Sequence, residues 1–346
     1  MSHLHPSPAP PGVLTRWGRF TGARLRPIET GLINLTLEVC TTTGERAVLQ
    51  RLHPTFPPEV NLNIAVVTEH LARRGRVTPR LLPTDDGALW VEGEGIWRAL
   101  SFVPGHAHAY VADPPMAREA GRLVGCFHTA LADLDYRYRA PRHQVHDTPA
   151  HLRRLVQALE AHHRHRLYAQ VAPEVERMLR ETEALVDLTG LPLRHAHGDL
   201  KVSNLMFDAE GRGLALIDLD TLTHMHWPLE MGDALRSWCN PRREDQNPAN
   251  LDLALLRAAL DGYQETAGEL IVAAEWQALI PGLARICLEL SARFFADALN
   301  ESYFGWDAAR YPARGEHNLA RGSAMWALYR DVMAKRGPAE ALLPNR

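Results

Sequence analysis

Two stretches decide how this chain reads: His197-Gly198-Asp199-Leu200-Lys201-Val202-Ser203-Asn204 and, further on, Ile217-Asp218-Leu219-Asp220-Thr221. Between them, Ser203-Asn204-Leu205-Met206-Phe207-Asp208 reads as a short strand and Glu210-Gly211-Arg212-Gly213 as turn chemistry. Leu214-Ala215-Leu216-Ile217 reads as a second, apolar strand. The pattern predicts a β-hairpin with a polar loop at one end and Asp218 at the other.

That arrangement carries a definite chemistry. Moving a γ-phosphoryl group depends mainly on positioning the partners and neutralising charge on the phosphates. In the spacing H-x-D-x-x-x-x-N the Asp accepts the proton of an attacking hydroxyl and the Asn helps to hold magnesium. A second Asp at the end of a nearby strand is the magnesium carboxylate. Asp199, Asn204 and Asp218 fill these roles in order. Asp and Asn also cap ordinary turns, but here strand, turn, strand and acid fall in register. Lys201 reads as a point charge for the γ-phosphate or as an exposed loop lysine. His197 is expected to hold the loop rather than do chemistry. Asp220 reads as a second metal ligand or as a helix cap.

Outward from the hairpin, the chain divides in character. Before Pro104-Gly105 it is strand-rich: Ile33–Cys40, Ala47–Leu52, Leu81-Leu82-Pro83, Ala88–Val91 and Trp97–Val103. A single helix interrupts these strands, marked by Val60, Ile64, Val67 and Leu71 on one stripe. Beyond Pro104-Gly105 the pattern is mainly helical, with helices expected over 118–131, 149–166, 172–187, 250–267, 274–300 and 317–335. The expectation is an α+β chain of the protein-kinase-like, two-lobed kind. It has a flexible tail at 1–12, a small β-rich nucleotide-binding lobe at 13–104, a larger helical catalytic and acceptor-binding lobe at 105–336, and a loose tail at 337–346.

The nucleotide side of the site is less regular. Gly31 supplies a tight turn through which backbone amides could approach phosphate, or simply turns a hairpin. The next strand has Val48-Leu49-Gln50-Arg51 where protein kinases carry a Lys, and adjacent strand residues face opposite sides, so either Gln50 or Arg51 occupies that position. Glu69 lies opposite the apolar stripe of the helix and reads as solvated rather than as the partner of a lysine. With Lys201, Asn34, and Ser101 and Val103 at the end of the last strand, these residues make up the expected nucleotide site.

A net charge of −3 gives no reason to expect nucleic acid or an anionic membrane as partner, and no apolar run approaches a membrane span. The first residues lack a basic segment followed by an apolar one, so no signal peptide is read there. Cys40, Cys126, Cys239 and Cys287 lie far apart without a C-x-x-C pair, which points to a reduced, cytoplasmic setting with no zinc site. His162-His163-Arg164-His165 sits among arginines and reads as a solvated face rather than a metal site.

With these residues in hand, the chain resembles the aminoglycoside phosphotransferase and choline kinase superfamily over nearly its whole length. HGDLKVSN and the later IDLD carry that resemblance, together with Met231-Gly232-Asp233-Ala234-Leu235-Arg236. The resemblance implies ATP as co-substrate, Mg²⁺, a small-molecule acceptor phosphorylated on a hydroxyl, and a loop-anchoring role for Asp233. A narrower resemblance, to N-acetylhexosamine 1-kinase-like sugar kinases, rests on Gly31-Leu32-Ile33-Asn34, Leu49-Gln50-Arg51, Arg293-Phe294-Phe295-Ala296-Asp297, Tyr303-Phe304 and His317-Asn318-Leu319-Ala320-Arg321. It implies that Arg293 and Tyr303 contact a sugar phosphorylated at its anomeric hydroxyl. Read from the residues alone, Arg293 and Asp297 are spaced to pair along a helix, and Tyr303 to lie in the core. Leu32 stands where sugar-kinase relatives tend to carry His. An aminoglycoside or amino-alcohol kinase stays open as an alternative acceptor reading. A catalytically weak nucleotide-binding protein stays open because the strand Lys of protein kinases and its helical Glu are missing. Oligomeric state is left open.

Overall fold

The computed structural model describes residues 11–28, 34–140, 146–182 and 185–344. Pro11–Leu14 (α1) is one helical turn, followed by an antiparallel sheet made of Arg24–Pro27 (β1), Leu35–Cys40 (β2), Arg46–Arg51 (β3), Leu81–Leu82 (β4), Val91–Gly93 (β5) and Gly95–Ser101 (β6). The strand order is β1-β2-β3-β6-β4, with β5 pairing β6. The period-2 alternation of these strands sorts their side chains onto two faces. Leu37, Val39, Ala47, Leu49, Trp97 and Ala99 form one core with Val13, Trp17 and Phe20 from the N-terminal segment. The opposite face carries Val48, Gln50, Arg98 and Leu100, of which Val48 and Leu100 belong to the large core that also takes in Ile64, Val67 and Leu71 of Val60–Arg73 (α2). The apolar stripe read from the sequence is therefore the buried face of α2.

The helical lobe follows: Pro114–Leu131 (α3), Thr148–Ala161 (α4) and Tyr168–Glu181 (α5). Asp113 and Asp147 cap α3 and α4, their side chains accepting from Met116 N–H and Ala150 N–H, with Pro in the first turn of each helix. The helix expected at 149–166 ends at Ala161. His162 to Leu167 form a turn in which His165 and Arg166 bond Glu301, while His162 bonds Asn300. Then come Leu193–Ala196 (β7), Leu205–Phe207 (β8), Gly213–Leu216 (β9), Thr223–His226 (β10) and Trp227–Trp238 (α6). The strands pair as two small ribbons, β8 with β9 and β10 with β7. Leu253–Ala267 (α7), Ala273–Gln277 (α8), Leu279–Asn300 (α9), Arg314–Ala334 (α10) and Arg336–Glu340 (α11) complete the lobe.

Two expectations need correction here. The segment 337–346 was expected to be loose. Instead α11 runs into it, Ala339 is fully buried, and Leu342 and Leu343 pack against the large core, because apolar side chains at these positions find a surface to cover. The sequence reading also lacked β7, β10 and α6. Of the N-terminal tail, residues 1–10 lie outside the described residues, as do Gly31 and Leu32. Among the described residues no helix is long and apolar enough to cross a membrane. All four cysteines are free thiols.

Candidate active site

The loop from His197 to Asn204 leaves β7 and rests on α6. Four side chains of that helix hold it. Glu230 accepts from the backbone N–H of His197 (2.7 Å) and of Gly198 (3.1 Å), and Asp233 accepts from Leu200 N–H (2.9 Å). Ser237 Oγ accepts from Val202 N–H (3.0 Å), and Trp238 Nε1 donates to the Leu200 carbonyl (2.8 Å). Positions 230, 233 and 237 share one helical face, so a rigid helix supplies a ladder of acceptors to a loop whose own amides have no strand partner. Asp233 also pairs with Arg236 (2.8 Å), whose Nη1 reaches Glu244 (2.7 Å). Close packing of α6 on α9 requires Gly232, where a Cβ would stand 2.9 Å from the Gly282 carbonyl.

His197 is fully buried. Its Nε2 faces the Ile217 carbonyl at 2.9 Å, so that nitrogen carries the proton and ties the loop to the residue before Asp218. Thr221 Oγ1 closes the same connection by donating to the His197 carbonyl (2.7 Å). Gly198 has a positive φ of 83°, and a Cβ there would meet the Thr221 carbonyl at 2.5 Å, so only glycine fits. His197 thus ties the loop to the strand that leads into Asp218.

Asp199, Lys201 and Asn204 converge. Lys201 Nζ lies 2.5 Å from Asp199 Oδ2, and Asn204 Nδ2 donates to the same oxygen (3.0 Å) and to the Asp199 carbonyl (2.8 Å). Burial alone would raise the Asp199 pKa, but the Lys201 ammonium outweighs it and holds this carboxylate below its ordinary range. Lys201 is itself pushed upward: desolvation opposes its charge, while Asp199 and Asp218 more than restore it. Asp218 stands at the entry to the turn Leu219–Thr221 with φ 63° and ψ 55°, a left-handed conformation that costs a non-glycine residue roughly 1–3 kcal/mol and that clusters at functional sites. Its carboxyl makes no hydrogen bond or ion pair with the described residues. Burial first, then the charges of Asp220 and Asp199, raise its pKa. The Lys201 ammonium acts against them. A carboxylate without a hydrogen-bond partner, on the same connection as the Asn204 amide, is a donor set that suits a hard divalent cation. Among the described residues no three His, Cys, Asp or Glu are grouped so as to hold a metal ion.

Several predicted residues stand elsewhere than expected. Asp220 was read as a second metal ligand or a helix cap; its two oxygens are taken by Arg98 and Asn34, and the side chains of the Arg98–Asp220 pair are 1% exposed, so it anchors the sheet side to this turn. Of Gln50 and Arg51, Gln50 faces the site. Arg51 is exposed on the other face, over the Trp97 ring at 5.9 Å, as strand alternation requires, and does not share the face of Gln50 and Arg98. Asn34 joins the site through Asp220. Ser101 Oγ accepts from Arg80 N–H (2.8 Å) and Val103 is buried where the chain leaves β6 for the helical lobe. Glu69 pairs with Arg73 and Arg80 at the surface. Sequence reasoning missed Arg98 and Glu230. The signal for Arg98 was a lone charge inside the apolar run Trp97–Val103.

Arg293 and Tyr303 meet across Phe304: the Arg293 guanidinium lies 5.6 Å from that ring and the Tyr303 ring packs edge-on to it at 4.8 Å. Asp297 does not pair with Arg293. It accepts the backbone N–H groups of Ser302, Tyr303 and Phe304 and the Asn318 amide, shaping the loop that presents Tyr303, which is 48% exposed rather than core.

Among solved structures, the chain is similar to an aminoglycoside phosphotransferase from Alicyclobacillus acidocaldarius, with a TM-score of 0.63 at 18% identity over 96% of each chain. A microcompartment-associated aminopropanol kinase gives 0.63 at 16% identity, covering 94% of this chain and 96% of that one. An amicoumacin kinase solved with AMP-PNP and Ca²⁺ gives 0.59 at 12% identity, covering 90% and 88%. These likenesses establish the two-lobed kinase-like fold. The sequence model of the phosphotransferase enzyme family (APH) matches residues 24–268, a span that holds the whole catalytic loop, Asp218 and the shelf beneath them, and the chain belongs to that family of small-molecule phosphotransferases.

Proposed function

We propose that this chain transfers the γ-phosphoryl group of Mg-ATP to a hydroxyl of a neutral, polyhydroxylated small molecule, most simply a sugar such as an N-acetylhexosamine at its anomeric hydroxyl. The observation that carries the reaction is the convergence of Asp199, Lys201 and Asn204 on one loop that is tied through His197 and Thr221 to Asp218. Asp199 orients the acceptor hydroxyl and takes its proton as the new bond to phosphorus forms and the bond to the β–γ bridging oxygen breaks, leaving ADP. A carboxylate held low in pKa is a weak base, which suits a loose transition state in which the proton moves late. Asn204 and Asp218 would hold magnesium, which supplies charge neutralisation on the β- and γ-phosphates when bound. Lys201, now against Asp199, would meet the γ-phosphate as a point charge.

The acceptor reading rests on the balance of charge near the loop. Glu244 is engaged by Arg236 (2.7 Å) and Arg321 (3.6 Å), and Asp245 by Arg310 (2.7 Å) and the Tyr311 hydroxyl (3.0 Å). These carboxylates are already compensated and offer little to a polycation. Arg293 and Tyr303 supply a donor and a ring for a sugar. Incubation with Mg-ATP and a panel of N-acetylhexosamines, other sugars, amino alcohols and aminoglycosides, read as ADP release, tests both levels. Turnover confined to amines would sink the acceptor reading. No turnover on any acceptor, with no Mg-ATP stabilisation in a thermal melt, would sink the reaction and favour a nucleotide-binding protein.

A further inference from the structure

The chain has neither the strand lysine nor the helical glutamate that join the phosphate-binding elements of protein kinases, yet the same junction is filled. Gln50 on β3 and Arg98 on β6 are direct cross-strand partners on one face of the sheet. Arg98 Nε and Nη2 donate to Gln50 Oε1 at 3.0 and 2.7 Å, and Nη1 donates to Asn61 Oδ1 on α2 at 3.2 Å. Nη1 and Nη2 also reach the two Asp220 oxygens at 2.5 and 3.0 Å. Every N–H of the guanidinium is then used. Asp220 takes a further bond from Asn34 Nδ2 (2.7 Å), while Asn34 Oδ1 accepts from His53 N–H (2.9 Å).

Stability alone does not account for this network. A fully desolvated ion pair contributes little beyond what apolar side chains of similar volume would supply. What it fixes is geometry: a single guanidinium joins β3, α2 and the turn Leu219–Thr221 that follows Asp218, and Asp220 ties Asn34 to the same junction. We propose that Arg98 is a positioning residue for phosphoryl transfer. It takes over, from a different strand, the joining role of the missing lysine–glutamate pair and holds Asp218 in the conformation that receives the metal–phosphate group. Because its five donors are spent within the protein, it acts through Asp220 and not on the nucleotide. The inference rests on the reading of Asp218 as the metal-side carboxylate.

The test uses the full-length protein with Arg98→Met, Asp220→Asn, both together, and Arg98→Lys. Each variant is followed by calorimetric melting and by titration with AMP-PNP in magnesium and in EDTA, with kcat measured on any acceptor found. The double variant buries no unpaired charge. It is expected to melt cooperatively near the wild type, to bind AMP-PNP in EDTA as the wild type does, and to lose roughly 10- to 100-fold of the affinity added by magnesium and of kcat, the range typical for residues behind a metal ligand. Arg98→Lys keeps the charge but not the fork to Gln50 and Asn61, and is expected to fall between. A folded double variant with the wild-type magnesium gain and kcat would overturn the proposal. If the double variant does not fold, Arg98→Lys decides: a reduced magnesium gain supports the proposal, and an unchanged one overturns it. A wild type whose AMP-PNP affinity is indifferent to magnesium, with Asp218→Asn equally indifferent, would remove the metal reading of Asp218 itself and the inference with it.

Discussion

The two sides of the phosphate site are built on opposite plans. On the side of the helical lobe, His197 to Val202 lie on the α6 ladder, within 38 residues of every partner there (Leu200 to Trp238), and Asp218 follows on the same hairpin. On the sheet side, Asn34 and Arg98 bond Asp220, and Arg98 in turn bonds Gln50 and Asn61, across separations of up to 186 residues. The first plan keeps chemistry on a short loop whose geometry is set by neighbours in sequence. The second has no local geometry at all and holds only while both lobes are packed. A change at the base Asp199 should therefore strike the reaction with binding spared, whereas changes at the junction should strike the coupling between metal and nucleotide.

The sharpest break is Asp199→Asn, expected to lower turnover by about 10²–10⁴-fold while AMP-PNP affinity stays near wild type. Turnover near wild type would show that the base lies elsewhere. Next, Glu230→Ala leaves the buried N–H groups of His197 and Gly198 without acceptors, at about 1–3 kcal/mol each. Calorimetry should record a lower Tm together with reduced kcat, and an unchanged Tm would mean that the shelf does not hold the loop.

Asp218→Asn separates stability from activity by sign. The folded-state pKa of Asp218 lies above its ordinary 3.8, so ionising this carboxyl weakens the fold as pH rises through the raised value. Removing the charge is expected to abolish most activity and yet raise Tm at neutral pH, with the gain shrinking toward pH 4 and below, where the wild-type carboxyl is protonated in both states. Asp199, held below 3.8, has the opposite sign: its contribution is present above that value and is lost as pH falls through the lowered one. A Tm gain for Asp199→Asn at neutral pH would contradict this assignment. The smallest effect belongs to Arg51→Ala, on the outer face of β3, expected within about 0.5 kcal/mol of wild type and without change in nucleotide affinity.

The catalytic hairpin was readable in advance because its signals are short-range. Strand, turn, strand and acid follow each other in the chain, and β8 and β9 appear within two residues of expectation. Helix α6 was not readable for a physical reason: eleven of its twelve residues are buried, so it lacks the apolar-polar contrast that reveals a surface helix, and Pro228 and Gly232 mask the rest. Asp233 was reached through the family's motif, but Glu230, Ser237 and Trp238 could be recognised as its companions only once the helix was known. Arg293 and Tyr303 were named from resemblance. Their meeting at Phe304 depends on Asp297 capturing three loop amides, which spacing along α9 alone reads as an ion pair with Arg293.

By itself, the sequence determined the two-lobed α+β plan, the catalytic loop with Asp199 and Asn204, and Asp218 at the end of a hairpin. Alternation, turn chemistry and loop spacing act between residues close in the chain and leave few alternatives. Only the tertiary structure decided that Gln50 rather than Arg51 shares a face with Arg98, and that Asp220 pairs with Arg98 and Asn34. Those outcomes depend on which distant charge reaches a buried carboxylate first. A desolvated carboxylate such as Asp220 is stabilised by a charged partner, but local pattern does not say from which strand the partner will come.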